Sequence, residues 1–300
     1  MQLPLSLALL PLAAQAVNIL SGNDDGWAEK NIRTLYDSLT EAGHSVVISA
    51  PAENQSGTGS SDGEPKPLSE PCEFNSCSKG SPAVGHNATQ PRWNYVNSFP
   101  VTSIKQGIES LSPTFFDGKP DLVVTGPNVG YNLGVVTVIS GTVGAASYAA
   151  HDAHIPAIAF SGGTGSALAW DAPTPAYATL YAQLATKLVD QVVAAGEPYL
   201  PEDVFLNVNL PRVDGGKCTS TRVEDFKFVL SRIYHALPLF SGKDVEICEN
   251  DQRLPTETTV TETGCYVSVS VGKASNKLDA DAAQQAAVVK QLGNLLTCLP

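Results

Sequence analysis

The chain has 300 residues, 43 % of them hydrophobic, with 18 Lys+Arg against 30 Asp+Glu and a formal net charge of −12. The apolar share supplies a substantial core and excludes global disorder. The acid excess excludes a binder of nucleic-acid polymers or of anionic membranes, since either needs a basic face. The 25 Gly and 21 Pro follow no Gly-X-Y period, which excludes collagen.

Residues 1–16, MQLPLSLALLPLAAQA, form an apolar run ending in the small-x-small site Ala14-Gln15-Ala16. This reads as a secretory signal peptide, because Pro4 and Pro11 disfavour a regular buried helix. The expected location is secreted, or extracellular, and no later run is long and apolar enough to span a bilayer. In an oxidising compartment the six cysteines form disulfides, with Cys72 and Cys77 the natural local pair and the other pairings open. Of the sequons at Asn54 and Asn87, Asn87 is the expected glycosylation site, since Asn54 lies in a tightly turned loop.

A short strand over Val17–Leu20 leads into a loop at Gly22–Gly26. Ile32, Leu35, Tyr36 and Leu39 recur at helical spacing, so 29–41 reads as a helix that Gly43 stops. Val46–Ile48 is a second strand. Residues 52–92 are rich in Ser, Gly, Pro and Glu and read as a long loop, with 57–92 as an insertion into the core. A short helix over Ile104–Leu111, a strand over Asp121–Thr125, a helix over Gly141–His151, a strand over Ile155–Phe160, a helix over Ala176–Ala194 and a strand over Val204–Val208 follow. This alternation predicts an α/β fold: a three-layer α/β/α Rossmann-like parallel sheet spanning 17–211, with ligand loops at the strand C-termini. Beyond Pro211 the alternating stretches Phe226–Val229 and Tyr266–Ser270 predict C-terminal β-hairpin extensions, making 212–270 an arm region. The segment 271–300 is C-terminal and helical, with its helix over Asp281–Leu296.

Two loops carry candidate chemistry. In Ser21-Gly22-Asn23-Asp24-Asp25-Gly26 the adjacent carboxylates repel one another unless a cation lies beside them, and a hard divalent ion prefers such oxygen ligands; an Asx-turn explains the same residues without a ligand. In Thr125-Gly126-Pro127-Asn128-Val129-Gly130-Tyr131-Asn132-Leu133-Gly134 the glycines permit close approach, and the Asn128 carbonyl is a further candidate oxygen ligand. Ser140-Gly141-Thr142 then opens a helix whose free N–H groups suit an anion such as phosphate. HExxH is absent, and the absence of GxGxxG after the first strand, of GxxxxGK[ST] and of GxSxG weakens a nicotinamide enzyme, a P-loop NTPase and a standard α/β-hydrolase. His151 and His154 read as helix-end residues rather than ligands.

The run Ile19–Gly26 resembles the opening of the SurE family of survival-protein nucleotidases and acid phosphatases. Ala50-Pro51 with Gln55-Ser56-Gly57, Pro120–Asn132, Ser140–Ala146, Pro156–Ser161, Asn207–Pro211, and Thr256-Glu257 leading to Gly264–Val269 are similar to its further motifs, in order. The resemblance is to a secreted, eukaryotic-type member. It implies a metal-dependent phosphatase of phosphate monoesters, nucleoside 5′- or 3′-monophosphates foremost, using one divalent ion, Mg²⁺ or Mn²⁺ with Ca²⁺ as an alternative. The implied metal ligands are Asp24, Asp25, Ser56 and Asn128; the phosphate contacts are Asn23, Asn132, Ser140, Gly141 and Thr142; Asp24 and Asp25 are catalytic, with Asp25 contacting or deprotonating the attacking water. A homodimer or homotetramer with exchanged arms is also implied. Trp27–Asn31 replaces the family's small segment, expected to change the cleft wall, and Glu257 stands where Asp is usual. Trp27, Trp93, Tyr95 and Tyr131 are available to stack a base. A secreted, non-catalytic binding protein on the same scaffold is the alternative.

Overall fold

The computed structural model describes residues 16–237, 239 and 241–300, so the expected signal peptide lies outside the described residues except for Ala16. The first strand, β1 (Asn18–Gly22), is followed by α1 (Lys30–Glu41), for which the Glu29 carboxylate is the N-cap, accepting from the Asn31 N–H. Gly43 ends the turn at φ +97°, a conformation open to glycine at no steric cost. Then come β2 (Ser45–Pro51), β3 (Val84–His86), β4 (Trp93–Val96), α2 (Pro100–Gln106) and α3 (Ser112–Phe116). The middle of the chain holds β5 (Leu122–Val129), α4 (Val136–Ile139), α5 (Gly141–His151), β6 (Ala157–Gly162), α6 (Ala176–Ala194) and β7 (Val204–Leu210). The last elements are β8 (Lys227–Ser231), α7 (Glu257–Thr263), β9 (Tyr266–Lys273) and α8 (Ala282–Leu292).

Among the described residues the strands form one nine-stranded sheet, in the order β3-β4-β2-β1-β5-β6-β7-β9-β8. The run from β4 to β7 is parallel, while β3 and β9 are antiparallel to their neighbours β4 and β7. Successive residues of the central strands enter opposite cores. Ile19, Leu122, Val124 and Ile158 face the layer of α1, α6 and α8, whereas Leu20, Val123, Ala157 and Ala159 face the layer of α2 and α5. Both faces are therefore covered, which is why these strands read as continuous apolar runs. The expected α/β/α architecture is present, with its site loops at the carboxyl ends of β1, β2 and β5.

Several local expectations change. The strand segments after Pro211 form, but not as a hairpin: β8 pairs parallel to β9 at the sheet edge, and α7 lies in the connection between them. A parallel pair needs such a long crossover, whereas alternation alone fits either pairing. β5 does not stop at Thr125; it continues through a register shift so that Asn128 pairs with Ser161 and Val129 with Gly162. The helix expected at 104–111 is part of a longer helical run from Pro100 to Phe116, with a wider turn at Gly107–Leu111. The long loop contains β3 and a short turn at Glu73–Asn75 inside the Cys72–Cys77 disulfide. The terminal helix stops at Leu292, where Gly293 takes φ +48°. Its start is sharp because Asp281 and Gln284 form a reciprocal capping box. The remaining disulfides are Cys218–Cys265 and Cys248–Cys298, both within the C-terminal part. His151 bonds Asp203 at 2.8 Å, in keeping with a helix-end role.

Candidate active site

At the end of β1 the chain closes on itself: Asn23 Nδ2 donates to the Gly26 carbonyl at 2.9 Å, and its Oδ1 accepts from the Gly26 N–H at 3.2 Å. This tight turn projects Asp24 toward the start of α5. Asp24 Oδ2 accepts from the Gly141 N–H at 3.1 Å, and Oδ1 accepts from the Thr142 hydroxyl at 2.5 Å. A Cβ at position 141 would lie 2.8 Å from the Asp24 Cβ, so glycine there permits the approach. Asp25 points instead to β5, where its Oδ2 accepts from the Val129 N–H at 2.8 Å. Both carboxylates are 2 % exposed.

Burial raises the Asp24 carboxyl above its ordinary range, against the donors from Thr142 and Gly141. Asp25 is raised well above that range, first by burial and then by the negative charge of Asp24. Glu29 and Glu73 add to this negative field, and burial pushes each up to about 7. Among the described residues no Lys, Arg or His forms an ion pair with Asp24 or Asp25.

The other expected residues lie around this pair. Gln55 donates its backbone N–H to the Asp24 carbonyl at 2.7 Å, tethering the loop that carries the exposed Ser56. Gly59 donates to the Ile139 carbonyl, and Gly144 leaves room for this loop, since a Cβ there would be 2.0 Å from the Gly59 carbonyl oxygen. Asn128 donates from Nδ2 to the Gly130 carbonyl at 2.7 Å, leaving Oδ1 without a protein partner among the described residues. Asn132 is 3 % exposed and donates from Nδ2 to the Ser161 hydroxyl at 2.8 Å.

All five expected phosphate contacts have protein partners, and Asn132 alone keeps a second side-chain N–H outside such a bond. Asn23 is engaged in its own turn, and the Ser140 hydroxyl caps α5 by accepting from the Val143 N–H. Gly141 and Thr142 hold Asp24. The helix start does hold an anion, as its dipole and free N–H groups favour, but that anion is the protein's own carboxylate. Trp27 and Tyr95 are likewise not open to a base: they are 2 % and 3 % exposed and pack with ring centroids 5.2 Å apart. The Arg33 guanidinium lies over Trp27 and Trp93 at 4.9 and 4.1 Å, so Trp27 buttresses the carboxylate loop from within.

Among the described residues no group of three or more His, Cys, Asp or Glu side chains is arranged to hold a metal. The set expected here has a different make-up: two carboxylates with a hydroxyl and an amide oxygen. Its chemistry fits a hard divalent cation, because two adjacent buried carboxylates lack a cationic partner and the Asn128 carbonyl oxygen is free.

A second layer of support was not foreseen. Asn209 Oδ1 accepts from the Asn132 N–H at 3.0 Å, and Asn207 Nδ2 donates to the Asn132 carbonyl at 2.8 Å. The visible signal was Asn-Val-Asn at 207–209 within a buried strand, which puts two amides on one face.

The family model described as "Survival protein SurE" matches residues 19–232, a span that contains all of these loops. An acid phosphatase of Yarrowia lipolytica is 36 % identical over 290 residues, covering 87 % of this chain and 80 % of the relative. The 5′-nucleotidase SurE of Gloeobacter violaceus is 34 % identical over 207 residues, covering 69 % of each. The crystal structure of the SurE protein from Aquifex aeolicus superposes with a TM-score of 0.61 at 24 % identity, over 85 % of this chain and 93 % of that one, a likeness of fold. The chain belongs to the survival protein SurE family.

Proposed function

We propose that the protein is a metal-dependent phosphatase that hydrolyses phosphate monoesters, nucleoside 5′- or 3′-monophosphates foremost, as a secreted acid phosphatase. Membership of the SurE family supports phosphoesterase chemistry of that type. The observation that carries the finer reading is the buried Asp24–Asp25 pair, which has no cationic partner among the described residues. Asp24, Asp25, Ser56 and Asn128 would hold one divalent ion, Mg²⁺ or Mn²⁺ with Ca²⁺ as an alternative. When bound, the ion supplies Lewis-acid polarisation of a phosphoryl oxygen and lowers the pKa of water.

The chain's own residues do the rest. The α5 start fixes Asp24, so its position does not depend on a ligand. The Val129 N–H holds Asp25 through Oδ2, which leaves Oδ1 to orient the attacking water. The Asn132 side chain, with a second Nδ2 proton to offer, stabilises charge on an equatorial phosphate oxygen. Gly141 and Thr142 act through Asp24, and Ser140 by capping the helix that holds it.

The three disulfides support folding in an oxidising compartment. No helix of the described residues is long and apolar enough to cross a membrane. The Asn87 side chain accepts from Thr89 and Gln90 in an exposed turn, which suits the proposed glycan site. The arm region 212–270, where Leu237 and Leu239 are exposed, is the segment we propose for exchange in a homodimer or homotetramer.

The test is hydrolysis of p-nitrophenyl phosphate and nucleoside monophosphates from pH 4 to 8, with EDTA or with added Mg²⁺, Mn²⁺ or Ca²⁺. Turnover lost with chelator and in Asp25→Asn is the expected result. A folded protein without turnover under any of these conditions refutes it and leaves a binding scaffold.

A further inference from the structure

Glu257 is the first residue of α7, outside the span that matches the family model, and is 1 % exposed. Among the described residues it has no ion pair with Lys, Arg or His. A carboxyl buried in this way costs stability unless donors satisfy its oxygens. The Ser270 hydroxyl on β9 is one donor; two N–H donors are the others, and both of these lead to the Asn132 segment. Oε2 accepts from the Gly134 N–H at 3.1 Å, and Oε1 accepts from Asn207 Nδ2 at 2.6 Å. The same Nδ2 donates to the Asn132 carbonyl at 2.8 Å.

The orientation of the relay is informative. Asn207 Oδ1 is buried with no hydrogen-bond partner. The amide therefore gives up one favourable contact to aim its nitrogen at Glu257 and Asn132 together, since an orphaned buried acceptor costs stability. Position 257 must also accept from two N–H donors arriving from different elements. A carboxyl offers two oxygens for this, and when protonated it can turn its O–H to the Ser270 hydroxyl while both oxygens accept, whereas a glutamine offers one oxygen and would turn its NH₂ toward the other donor.

We propose that Glu257 is a positioning residue for the active site: bridging the Gly134 amide and Asn207, it fixes the Asn132–Gly134 segment from the C-terminal extension. The proposal rests on the reading of Asn132 as a phosphate contact given above. It means that the extension completes the site and is more than a cover for the sheet edge. Nearby bonds act in the same sense: the Thr137 and Tyr234 hydroxyls lie 3.1 Å apart, and Lys277 Nζ donates to the Val138 carbonyl at 3.1 Å.

Glu257→Gln, assayed in the full chain at saturating Mg²⁺ or Mn²⁺, is expected to lower kcat/KM for p-nitrophenyl phosphate by about tenfold to a hundredfold through misplacement of the segment. Its affinity for inorganic phosphate, read by calorimetry, falls in parallel, and amide exchange over 130–135 accelerates about tenfold while α6 is unchanged. In an Asn132→Ala background the same substitution costs less than about twofold, since coupled residues are not additive. Should Glu257→Gln fail to fold, Asn207→Ala cuts the relay with Glu257 in place and is expected to give the same losses. Unchanged kinetics and phosphate affinity with only a lower Tm, or a full additive cost in the Asn132→Ala background, overturns the proposal. If the wild type hydrolyses nothing, the phosphatase reading falls; phosphate affinity and amide exchange still decide the role of Glu257, and no difference between variant and wild type in both refutes it.

Discussion

The two sides of the proposed site are held by opposite chemistry. On the carboxylate wall, Asp24 and Asp25 are acceptors, and the fold brings donors to them: the Gly141 and Val129 amides and the Thr142 hydroxyl. On the asparagine wall the backbone of Asn132–Gly134 is gripped from behind by Asn207, Asn209 and Glu257. The first wall draws on the parallel α/β core, the second on β7 and the disulfide-tied C-terminal part. Negative charge is thus held in place by a rigid helix start, while the wall that needs accurate backbone placement is fixed by a bidentate acceptor.

Substitution at the carboxylate wall should have the largest effect. Asp25→Asn is expected to lower turnover about a thousandfold. In EDTA the same change is expected to raise Tm by roughly 2–4 °C, because it removes one of two buried like charges. Calorimetry showing no rise in EDTA would break the view of this wall as electrostatically strained.

The asparagine wall should make itself known through pH. Burial pushes Glu257 up to about 8 from the ordinary 4.5, with Asp279 adding to the negative field around it. Between those values the folded chain keeps a proton that the unfolded chain releases, so stability falls as pH rises through the window and levels off above it. The loss is on the order of 3–5 kcal/mol. Urea denaturation from pH 4.5 to 8.5 checks this: Glu257→Gln should lack part of the slope, the remainder coming from Glu29, Glu73 and the Asp24–Asp25 pair, and an identical slope in the variant would mean that Glu257 contributes none of it.

The disulfides sharpen the contrast further. Removing Cys248–Cys298, a separation of 50 residues, is expected to cost about 4 kcal/mol, and removing Cys72–Cys77, a separation of 5, about 2 kcal/mol. Guanidinium unfolding of the two double-serine proteins tests the order. The smallest change expected is at Thr142→Val, which removes one charge-assisted bond to Asp24 and about 2 kcal/mol or less. Because α5 keeps its Ser140 cap, its helicity by circular dichroism should stay intact.

How much of this was readable from residues alone follows from distance along the chain. The helices at Gly141–His151 and Ala176–Ala194 match expectation at both ends, because apolar periodicity and a Ser140 cap are local signals. The two site loops were visible for the same reason: adjacent carboxylates and clustered Gly and Asn declare their chemistry within ten residues. Their partners did not. That Asp24 would fill the α5 start depends on a contact across 117 residues, and that Glu257 would reach Gly134 on one across 123. Strand direction was equally hidden, since the alternation in Phe226–Val229 and Tyr266–Ser270 is satisfied by parallel or antiparallel neighbours.

The grip of Glu257 on Gly134 has a consequence for how the protein comes to life on a ribosome. Asn132 and Gly134 emerge long before the residues that hold them, and the disulfides of the C-terminal part close only when Cys265 and Cys298, which follow α7, have emerged. Newly made chain is therefore expected to pass through a stage at which Asn132–Gly134 lack the side chains that hold them. Activity should switch on late in biogenesis, only after the final third has been translated, oxidised and docked.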